Sequence, residues 1–454
     1  MKQAELIRKY NVAGPRYTSY PTVPAWDLLS FNEFNWLERV KQTFTLTNEV
    51  EGVSIYVHLP YCESLCTYCG CNTRITVNHS VEEPYIQAVL KEWSLYKSQW
   101  EETPRIREIH LGGGTPTFFS APHLALLIEG LLAGCELAED YAFSFEGHPS
   151  NTTREHLETL YRLGFTRVSF GIQDFDLKVQ DAIHRMQSVA QVEAITLIAR
   201  EVGYTSINFD LIYGLPFQTL DSIAHTVHHV LRMRPDRIAY YSYAHVPWMK
   251  PGQRKFSEAD LPKDQEKRAL YELGKSKLED AGYKEVGMDH FALPDDELNI
   301  AQEKGLLHRN FMGYTSRNTH LLIGLGASSI SDCWLGFSQN VKTVESYLEH
   351  IAHGSFPIQK GHLNTDTDLI LRGHILRLMC TGGTSWENQE EQCAELFEGL
   401  QRLVEMESDG LVEISEYEMQ VTPVGKIFLR NICMALDAHF HASGEHASMF
   451  SKTV

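Results

Sequence analysis

The chain has 454 residues, with 43% hydrophobic and 22% charged residues and a formal net charge of -19 at pH 7. This composition is typical of a globular protein with a large core, and it excludes collagen-like, coiled-coil and disordered classes. The acidic balance argues against nucleic-acid binding, because phosphates are held by clustered Lys and Arg.

The N-terminal residues MKQAELIRKYNV lack the apolar stretch of a signal peptide, and no apolar run of about 18 residues occurs that could span a membrane. Four of the nine cysteines fall within ten positions, a poor layout for a secreted disulfide framework. We therefore expect a cytoplasmic protein without a membrane partner, whose thiols stay reduced.

The first 49 residues predict an ordered arm or lid, because the segment NVAGPRYTSYPTVPAWD has three prolines and little periodicity. From residue 53 onward, β-rich apolar runs alternate with segments of helical periodicity. The predicted strands are 53–58, 106–113, 141–147, 167–173, 206–214 and 237–245. The predicted helices between them are 83–100, 121–132, 151–164, 189–203 and 220–233.

This alternation predicts a parallel sheet, either a barrel or a doubly wound sheet. Residues suited to chemistry recur at the strand ends: the loop 62–71, Gly112–Gly114, Glu146, Gln173, Asp210 and Ala244 with His245. Because barrel enzymes gather the carboxyl ends of their strands on one catalytic face, the pattern favours an α/β fold with a partial (β/α)6 TIM-like barrel.

After about residue 335 the repeat stops. Residues 365–383 and 390–407 have helical periodicity, and residues 410–440 predict a two-stranded β-wing followed by a helix. We therefore expect an arm at 1–49, a barrel at 50–335 and a smaller, mainly helical domain at 336–454.

The cysteine loop, YVHLPYCESLCTYCGCN from Tyr56, contains the spacing Cx3Cx2C. Cys62, Cys66 and Cys69 could hold three corners of a 4Fe-4S cluster, whereas a structural cluster normally takes four Cys. A structural zinc site completed by His58 or Cys71 is the alternative, although no distant Cys or His pair is evident. The spacing favours iron and sulfur with one open iron.

The motif HLGGGTPT from His110 places three glycines at a strand end, where the backbone can approach a ligand closely. Alone it would equally suit a tight turn. With the cysteine loop it resembles the radical S-adenosylmethionine enzymes. The resemblance implies that the open iron binds the methionine moiety, and that an electron from a low-potential donor such as flavodoxin or ferredoxin releases a 5'-deoxyadenosyl radical.

Further motifs, in order along nearly the whole chain, resemble the oxygen-independent coproporphyrinogen III oxidases: GPRYTSYPT, GIQDF, NFDLIYGLP, YAHVP, GMDHFALPDDEL, LHRNFMGYT and VTPVGKIFLRNICM. The resemblance implies that the radical takes a hydrogen from the β-carbon of a propionate of coproporphyrinogen III. Loss of CO2 and one electron then leaves a vinyl group. Two such steps give protoporphyrinogen IX in haem biosynthesis, and we expect a monomer.

The resemblance also implies two S-adenosylmethionine molecules. The first, on the cluster, would be held by Tyr56, Gly113, Glu146 and Ile330. The second would be held by Tyr68, Gly114, Thr115, Gln173, Arg185, Asp210 and Ala244. Catalytic roles fall to Tyr56, Cys71 and Arg309. Carboxylates can accept from ribose hydroxyls or an ammonium, although a strand-end Asp or Gln is more often a cap or turn partner.

Candidate cations for the tetracarboxylate substrate are Arg16, Arg254, Lys255 and Arg309, each of which could instead be a surface ion pair. His290, beside Asp289, could orient substrate or be an ordinary core histidine.

The sequence departs from the family pattern in two places. Gly147 and His148 stand where EVDP is common, and Met312 stands where Gln is common. The alternatives are a haem-binding carrier of the same superfamily or a radical enzyme acting on another tetrapyrrole. Cys71 and the GPRYTSYP arm favour the oxidase, because the related haem carriers usually lack both.

Overall fold

The computed structural model describes residues 3–27, 29–443 and 450–453. Two helices form the arm, α1 (Gln3–Tyr10) and α2 (Glu33–Thr47). The strands that follow are β1 (Val53–Leu59), β2 (Tyr61–Cys62), β3 (Arg74–Ile75), β4 (Arg105–Gly113), β5 (Glu136–Gly147), β6 (Phe165–Gln173), β7 (Ser206–Tyr213), β8 (Arg237–Ser242), β9 (Lys284–Val286), β10 (His290–Ala292), β11 (His308–Asn310), β12 (Gly313–Thr315), β13 (Leu322–Leu325), β14 (Ile330–Asp332), β15 (Gly336–Asn340) and β16 (Ile358–Leu363).

The helices between these strands are α3 (Glu82–Lys97), α4 (Ala121–Leu132), α5 (Arg154–Arg162), α6 (Leu177–Ala182), α7 (Val189–Val202), α8 (Leu220–Met233), α9 (Asp264–Asp280), α10 (Glu297–Glu303) and α11 (Val344–Ala352). The remaining elements are α12 (Asp366–Thr381), β17 (Gly383–Ser385), α13 (Ala394–Arg402), α14 (Val404–Ser408), β18 (Val412–Ile414), β19 (Glu418–Val421), α15 (Leu429–Leu436) and α16 (Ala438–Ser443). None of the described helices is both long and apolar enough to cross a membrane.

The central sheet has the order β16-β15-β14-β13-β1-β4-β5-β6-β7-β8-β10-β9 within the described residues. Strands β1 and β4 to β8 are parallel, and each pairs with the next along the chain. This winding in chain order is that of a barrel, whereas a doubly wound sheet reverses direction. The predicted partial barrel is confirmed, and each predicted strand overlaps one of these six.

Strand β1 shows how the sequence separates core from site. Ile55 and Val57 are fully buried and belong to the main hydrophobic core. Because successive side chains of a strand point to opposite faces, Tyr56 and His58 point the other way and line a cavity. The same alternation in the neighbouring strands gives the barrel a polar interior.

Beyond residue 335 the sheet continues, because β14, β15 and β16 pair antiparallel to each other. The boundary at residue 335 between the barrel and the C-terminal domain stays a proposal, and it falls within this sheet. The predicted two-stranded wing has a third strand, because β17 pairs with β19. Strand β17 directly follows α12 and is too short to show a periodicity in the sequence.

The part of the arm before α2 packs on the C-terminal helices. Tyr17 and Tyr20 lie in the same hydrophobic cluster as residues of α12 and α15. Arg430, on α15, donates hydrogen bonds to the carbonyl oxygens of Gly14 and Pro15 and also to those of Lys452 and Thr453. One buried guanidinium therefore holds both ends of the described chain.

Glu92, on α3, is fully buried and ties three elements together. Its carboxylate accepts from Gly326 N–H at 2.8 Å, the Asn340 amide at 2.6 Å and the Tyr347 hydroxyl at 2.7 Å. Burial raises the pKa of Glu92 to about 7. We expect Glu92→Ala to lower the free energy of unfolding by about 2–4 kcal/mol, because it leaves these donors unpaired. Urea unfolding would measure this, with the exposed Glu83→Ala on the same helix as a control that changes little.

Candidate functional site

The cysteine loop is fixed at its base and at its tip. At the base, β2 pairs with β3, and Thr76 N–H donates to Cys62 O at 2.9 Å. At the tip, Thr67 N–H donates to Ile183 O at 3.0 Å, and the Thr67 hydroxyl donates to Ala182 O at 2.9 Å. The loop is therefore anchored to the segment that follows β6.

Each of the three sulfurs has one polar neighbour. Cys62 Sγ lies 3.3 Å from the Thr115 hydroxyl, and Cys66 Sγ lies 3.6 Å from Arg185 Nη1. Cys69 Sγ accepts from Cys71 N–H at 3.4 Å. The Cys71 thiol and N–H together lower the pKa of Cys69 to about 6, whereas burial raises the pKa of Cys62 to about 11. Hydrogen bonds to sulfur are one means by which a protein adjusts cluster potential.

The separation of the sulfurs fits a cluster better than a single ion. In the described part of the chain, the only group that brings three ligand atoms within 4.8 Å of one another is His362, Asp368 and His439. A tetrahedral zinc ion would bring its sulfurs to roughly 3.8 Å, since Zn–S bonds are about 2.3 Å. Ligands of different irons in one cluster stand further apart, so the geometry disfavours the zinc alternative.

Gly113 and Gly114 end β4 directly beneath the cysteine loop. Gly114 N–H donates to Leu59 O at 2.8 Å, and a Cβ on Gly114 would lie 2.7 Å from the Pro60 backbone. Gly113 has a left-handed φ of 111°, and a Cβ there would lie 2.7 Å from the His58 ring. The tract therefore has no room for side chains at these two positions.

Three adjoining cavities fill the barrel interior, and Glu146 lines all of them. We call them the cluster cavity (about 460 Å³), the Tyr56 cavity (about 450 Å³) and the floor cavity (about 180 Å³). The predicted residues lining the cluster cavity are Cys62, Cys66, Tyr68, Cys69, Cys71, Gly113, Gly114, Thr115, Glu146, Gln173, Arg185 and Asp210. Those lining the Tyr56 cavity are Tyr56, Cys71, Gly113, Glu146 and Ile330.

Of the residues predicted to hold S-adenosylmethionine, Ala244 lines neither the cluster cavity nor the Tyr56 cavity. Its carbonyl accepts from the Gln253 amide at 3.3 Å, and the same amide donates to Tyr68 O at 3.1 Å. Ala244 therefore connects to the cluster cavity through Gln253 and Tyr68.

Gln173 is the last residue of β6, and the Arg185 side chain contacts the same end of that strand. Arg185 Nη2 donates to Gly171 O at 2.6 Å, while its Nε is buried without a partner in the described structure. Gln173 has a left-handed φ of 66°, which is uncommon for a residue with a side chain. An unsatisfied guanidinium nitrogen beside the cluster cavity fits a ligand that carries a carboxylate.

Tyr56 is held by two histidines. Its hydroxyl lies 3.1 Å from His58 Nδ1, and its ring stacks on His110 at 6.0 Å. His58 Nε2 lies 2.8 Å from Asn72 O, at the end of the cysteine loop. Because burial raises the pKa of Tyr56 well above its usual range, the phenol is neutral at pH 7.

The predicted substrate cations lie outside the three cavities. Arg309 stacks over the Tyr314 ring at 4.3 Å and faces a small cavity shared with the arm. Arg16 donates to Ser242 O at 2.8 Å and lines a separate cavity behind β8. Arg254 and Lys255 are exposed on the segment after β8. The structure thus does not bring these four residues into the barrel interior.

His290 does reach the barrel interior. It lines the floor cavity, and its Nδ1 lies 2.6 Å from Asp289. Burial opposes ionisation of Asp289, but His290 outweighs it and lowers the pKa of Asp289 to about 2. Both departures from the family pattern also face the interior: Gly147 and His148 line the cluster cavity, and Met312 lines the other two cavities.

Among the interior residues that sequence reasoning missed are His110, Tyr241, Phe311 and, as a wall of the Tyr56 cavity, His58. For His58 and His110 a signal existed. His58 lies two positions after Tyr56 in β1, and His110 pairs with Tyr56 across the parallel register. Tyr241 had a similar signal, because it lies two positions after Ala239, which pairs with Asp210. Phe311 gave none, because its position depends on the β11–β12 hairpin.

Asp210 lies between the cluster and floor cavities, where it accepts from Ser169 at 3.0 Å and Asn208 at 2.8 Å. Burial, and then the charge of Glu146, raise the pKa of Asp210 to about 6. The folded state therefore binds a proton that the unfolded state loses between about pH 4 and 6, so this group makes folding less favourable as pH rises through that range.

We expect Asp210→Asn to stabilise the apo protein by about 1–3 kcal/mol at pH 7.5, because the burial of a charge is removed. The new amide can donate to the Ser169 hydroxyl. The gain in unfolding free energy should vanish near pH 4. Urea unfolding at pH 7.5 and at pH 4 would measure it. A gain independent of pH would contradict this explanation.

Comparison with known proteins places this site in a family. Residues 56–230 match the family model "Radical SAM superfamily". The oxygen-independent coproporphyrinogen III oxidase of Helicobacter pylori (strain J99) is 37% identical, over 99% of each chain. That of Pseudomonas aeruginosa is 38% identical, over 96% of this chain and 95% of its own.

A solved structure, that of the coproporphyrinogen III oxidase from Escherichia coli, matches with a TM-score of 0.88 and 35% identity. The match covers 96% of this chain and 98% of that chain, so it includes the arm and the C-terminal helices as well as the barrel. With a cysteine loop, a glycine tract and a shared interior at the carboxyl ends of six parallel strands, the chain belongs to the oxygen-independent coproporphyrinogen III oxidase family of radical S-adenosylmethionine enzymes.

Proposed function

We propose that this protein is a radical S-adenosylmethionine oxidoreductase that decarboxylates two propionates of coproporphyrinogen III to vinyl groups, giving protoporphyrinogen IX in haem biosynthesis. The observation that carries this proposal is identity of about 37% over 99% of both chains, because it includes regions outside the radical domain. We further propose a cytoplasmic monomer that receives electrons from a low-potential donor such as flavodoxin or ferredoxin.

We propose that Cys62, Cys66 and Cys69 hold a 4Fe-4S cluster and that the interior takes two S-adenosylmethionine molecules. When bound, the cluster supplies the electron that cleaves the sulfonium and generates the substrate radical. The Tyr56 cavity, with Gly113, Glu146 and Ile330, suits the first molecule. Its volume of about 450 Å³ is within the range of small-molecule sites.

The second molecule suits the cluster cavity, where Arg185 and Asp210 offer opposite charges. Arg185 can donate to a carboxylate through its Nε, which has no partner in the described structure. Asp210 can accept from hydroxyls or an ammonium. Gly114, Thr115, Gln173, Tyr68 and Ala244 complete this proposed set.

For the chemistry itself we propose three roles. Tyr56, held by His58 and His110, positions the first cofactor molecule. Cys71, exposed and lining both large cavities, is placed to meet substrate. Arg309 would act through Tyr314, whose ring lines the floor cavity.

Anaerobic incubation of cluster-loaded protein with coproporphyrinogen III, S-adenosylmethionine and dithionite tests the proposal. We expect CO2 and the divinyl product, with cofactor cleavage that depends on substrate. Cofactor cleavage without either product would contradict the assigned substrate and favour another tetrapyrrole. Tight haem binding without cleavage would favour a carrier.

A further inference from the structure

The segment 246–256, VPWMKPGQRKF, follows β8 and lies against the outer side of the cysteine loop. Gln253 donates to Tyr68 O at 3.1 Å, and Lys250 Nζ donates to Cys71 O at 3.2 Å. A Cβ on Gly252 would lie 3.5 Å from the Leu65 side chain. The segment is therefore attached to the same loop that carries the three cysteines.

Large apolar side chains on this surface point to solvent. Trp248 is 54% exposed, Met249 60% and Leu65 42%. Trp and Met are enriched in protein interfaces relative to the rest of the surface. Three large exposed apolar side chains on one surface, next to the predicted cluster ligands, indicate an interaction site.

The same surface is locally basic in an acidic protein. Residues 246–256 contain Lys250, Arg254 and Lys255 but no Asp or Glu, whereas the whole chain has a net charge of -19. Within the described residues none of these cations forms an ion pair; all three donate to backbone carbonyls. Carboxylates occur nearby in the sequence at Glu63, Glu258 and Asp260. The Asp260 carboxylate already accepts hydrogen bonds from the Ser257 N–H and hydroxyl.

We propose that this patch, formed by Leu65, Trp248, Met249, Lys250, Arg254 and Lys255, docks the small acidic protein that delivers single electrons to the cluster. The proposal rests on the proposed function, because it assumes the cluster. One electron passes from the reduced cofactor of the donor to the cluster, and no atom is transferred.

Charge explains why the patch is needed. An acidic donor is repelled by a protein of charge -19, but exposed charges are screened beyond about 8 Å at physiological salt. Over that distance the three cations, none of which forms an ion pair within the described residues, can orient the donor with its reduced cofactor toward the cysteine loop. The exposed apolar side chains then supply the contact area.

The test uses cluster-loaded protein and reduced flavodoxin as the probe. We expect Arg254→Glu combined with Lys255→Glu to weaken flavodoxin binding, measured by calorimetry, by about ten-fold at low salt, with a smaller difference at high salt. The rate at which flavodoxin bleaches the cluster should fall similarly. Trp248→Ala should weaken binding at both salt concentrations.

The matched control is Arg39→Glu combined with Lys91→Glu, which reverses two exposed charges on α2 and α3. Like Lys255, Lys91 donates to a backbone carbonyl. We expect this control to bind flavodoxin normally. Iron content, and cluster reduction and cofactor cleavage driven by dithionite, should be unchanged in all variants.

Reduction of the Arg254, Lys255 double variant by flavodoxin at the wild-type rate would overturn the proposal, as would equal loss in the control. Failure of the proposed function gives a different result. In that case coproporphyrinogen III yields no CO2 while binding and reduction by flavodoxin stay as expected.

Discussion

Cys66→Ala is expected to yield a colourless protein that folds but retains less than about one-tenth of the wild-type iron after anaerobic reconstitution. Cleavage of S-adenosylmethionine should fall at least about 10³-fold, equivalent to about 4 kcal/mol of barrier. The reason is geometric. Cys66 lies between Cys62 and Cys69 on a loop fixed by Thr67, so no other thiol of the loop can reach its position without breaking the bonds to Ile183 and Ala182.

The control for this experiment is Cys393→Ala. Cys393 is half-buried in the C-terminal part and precedes α13, where its side chain makes no capping hydrogen bond. That variant should keep its iron, its colour and its cofactor cleavage. Iron loading of the Cys66 variant at the wild-type level would refute the assignment of the cluster ligands.

Gly113→Ala is the second large effect that we expect, with S-adenosylmethionine binding weakened about 10- to 100-fold while iron content is retained. A left-handed φ costs a residue with a side chain about 1–2 kcal/mol, and the new methyl would meet the His58 ring at 2.7 Å. The ring must move, and with it the group that holds the Tyr56 hydroxyl. Equilibrium dialysis with the cluster-loaded protein measures the binding.

Gly134→Ala separates backbone strain from the loss of the binding surface. Gly134 also has a left-handed φ, 70°, but a Cβ there would meet nothing within 4 Å. We expect that variant to lose about 1 kcal/mol of unfolding free energy and to bind the cofactor normally. Equal weakening in both variants would show that strain alone, and not the contact with His58, causes the loss.

The barrel could be predicted from the sequence because its strands are long and apolar. Parallel strands such as β1 and β4 are buried along most of their length, and their apolar runs remain visible without a structure. The later strands are different: β9 to β12 have three residues each, and their pairing is antiparallel at the sheet edge or in a separate hairpin. Such segments carry no period, so β9 to β12 could not be foreseen.

For the site, the sequence indicated what lies at strand ends, and the resemblance supplied the roles. The cysteines, Gly113, Glu146 and Asp210 were identifiable because parallel strands bring their carboxyl ends together. The failure of Arg16, Arg254 and Lys255 to reach the interior has a plain cause. Charge alone does not say on which side of the sheet a segment returns: Arg16 lies in the arm and lines a separate cavity, and Arg254 and Lys255 are exposed after β8.

The contacts of Arg430 have a consequence for the order in which the protein is completed. The carbonyl groups of residues 14 and 15 and of residues 452 and 453 converge on one guanidinium, so residues 14 and 15 find this partner only after residue 430 has been synthesised. The barrel can therefore assemble during synthesis before this part of the arm docks on α15.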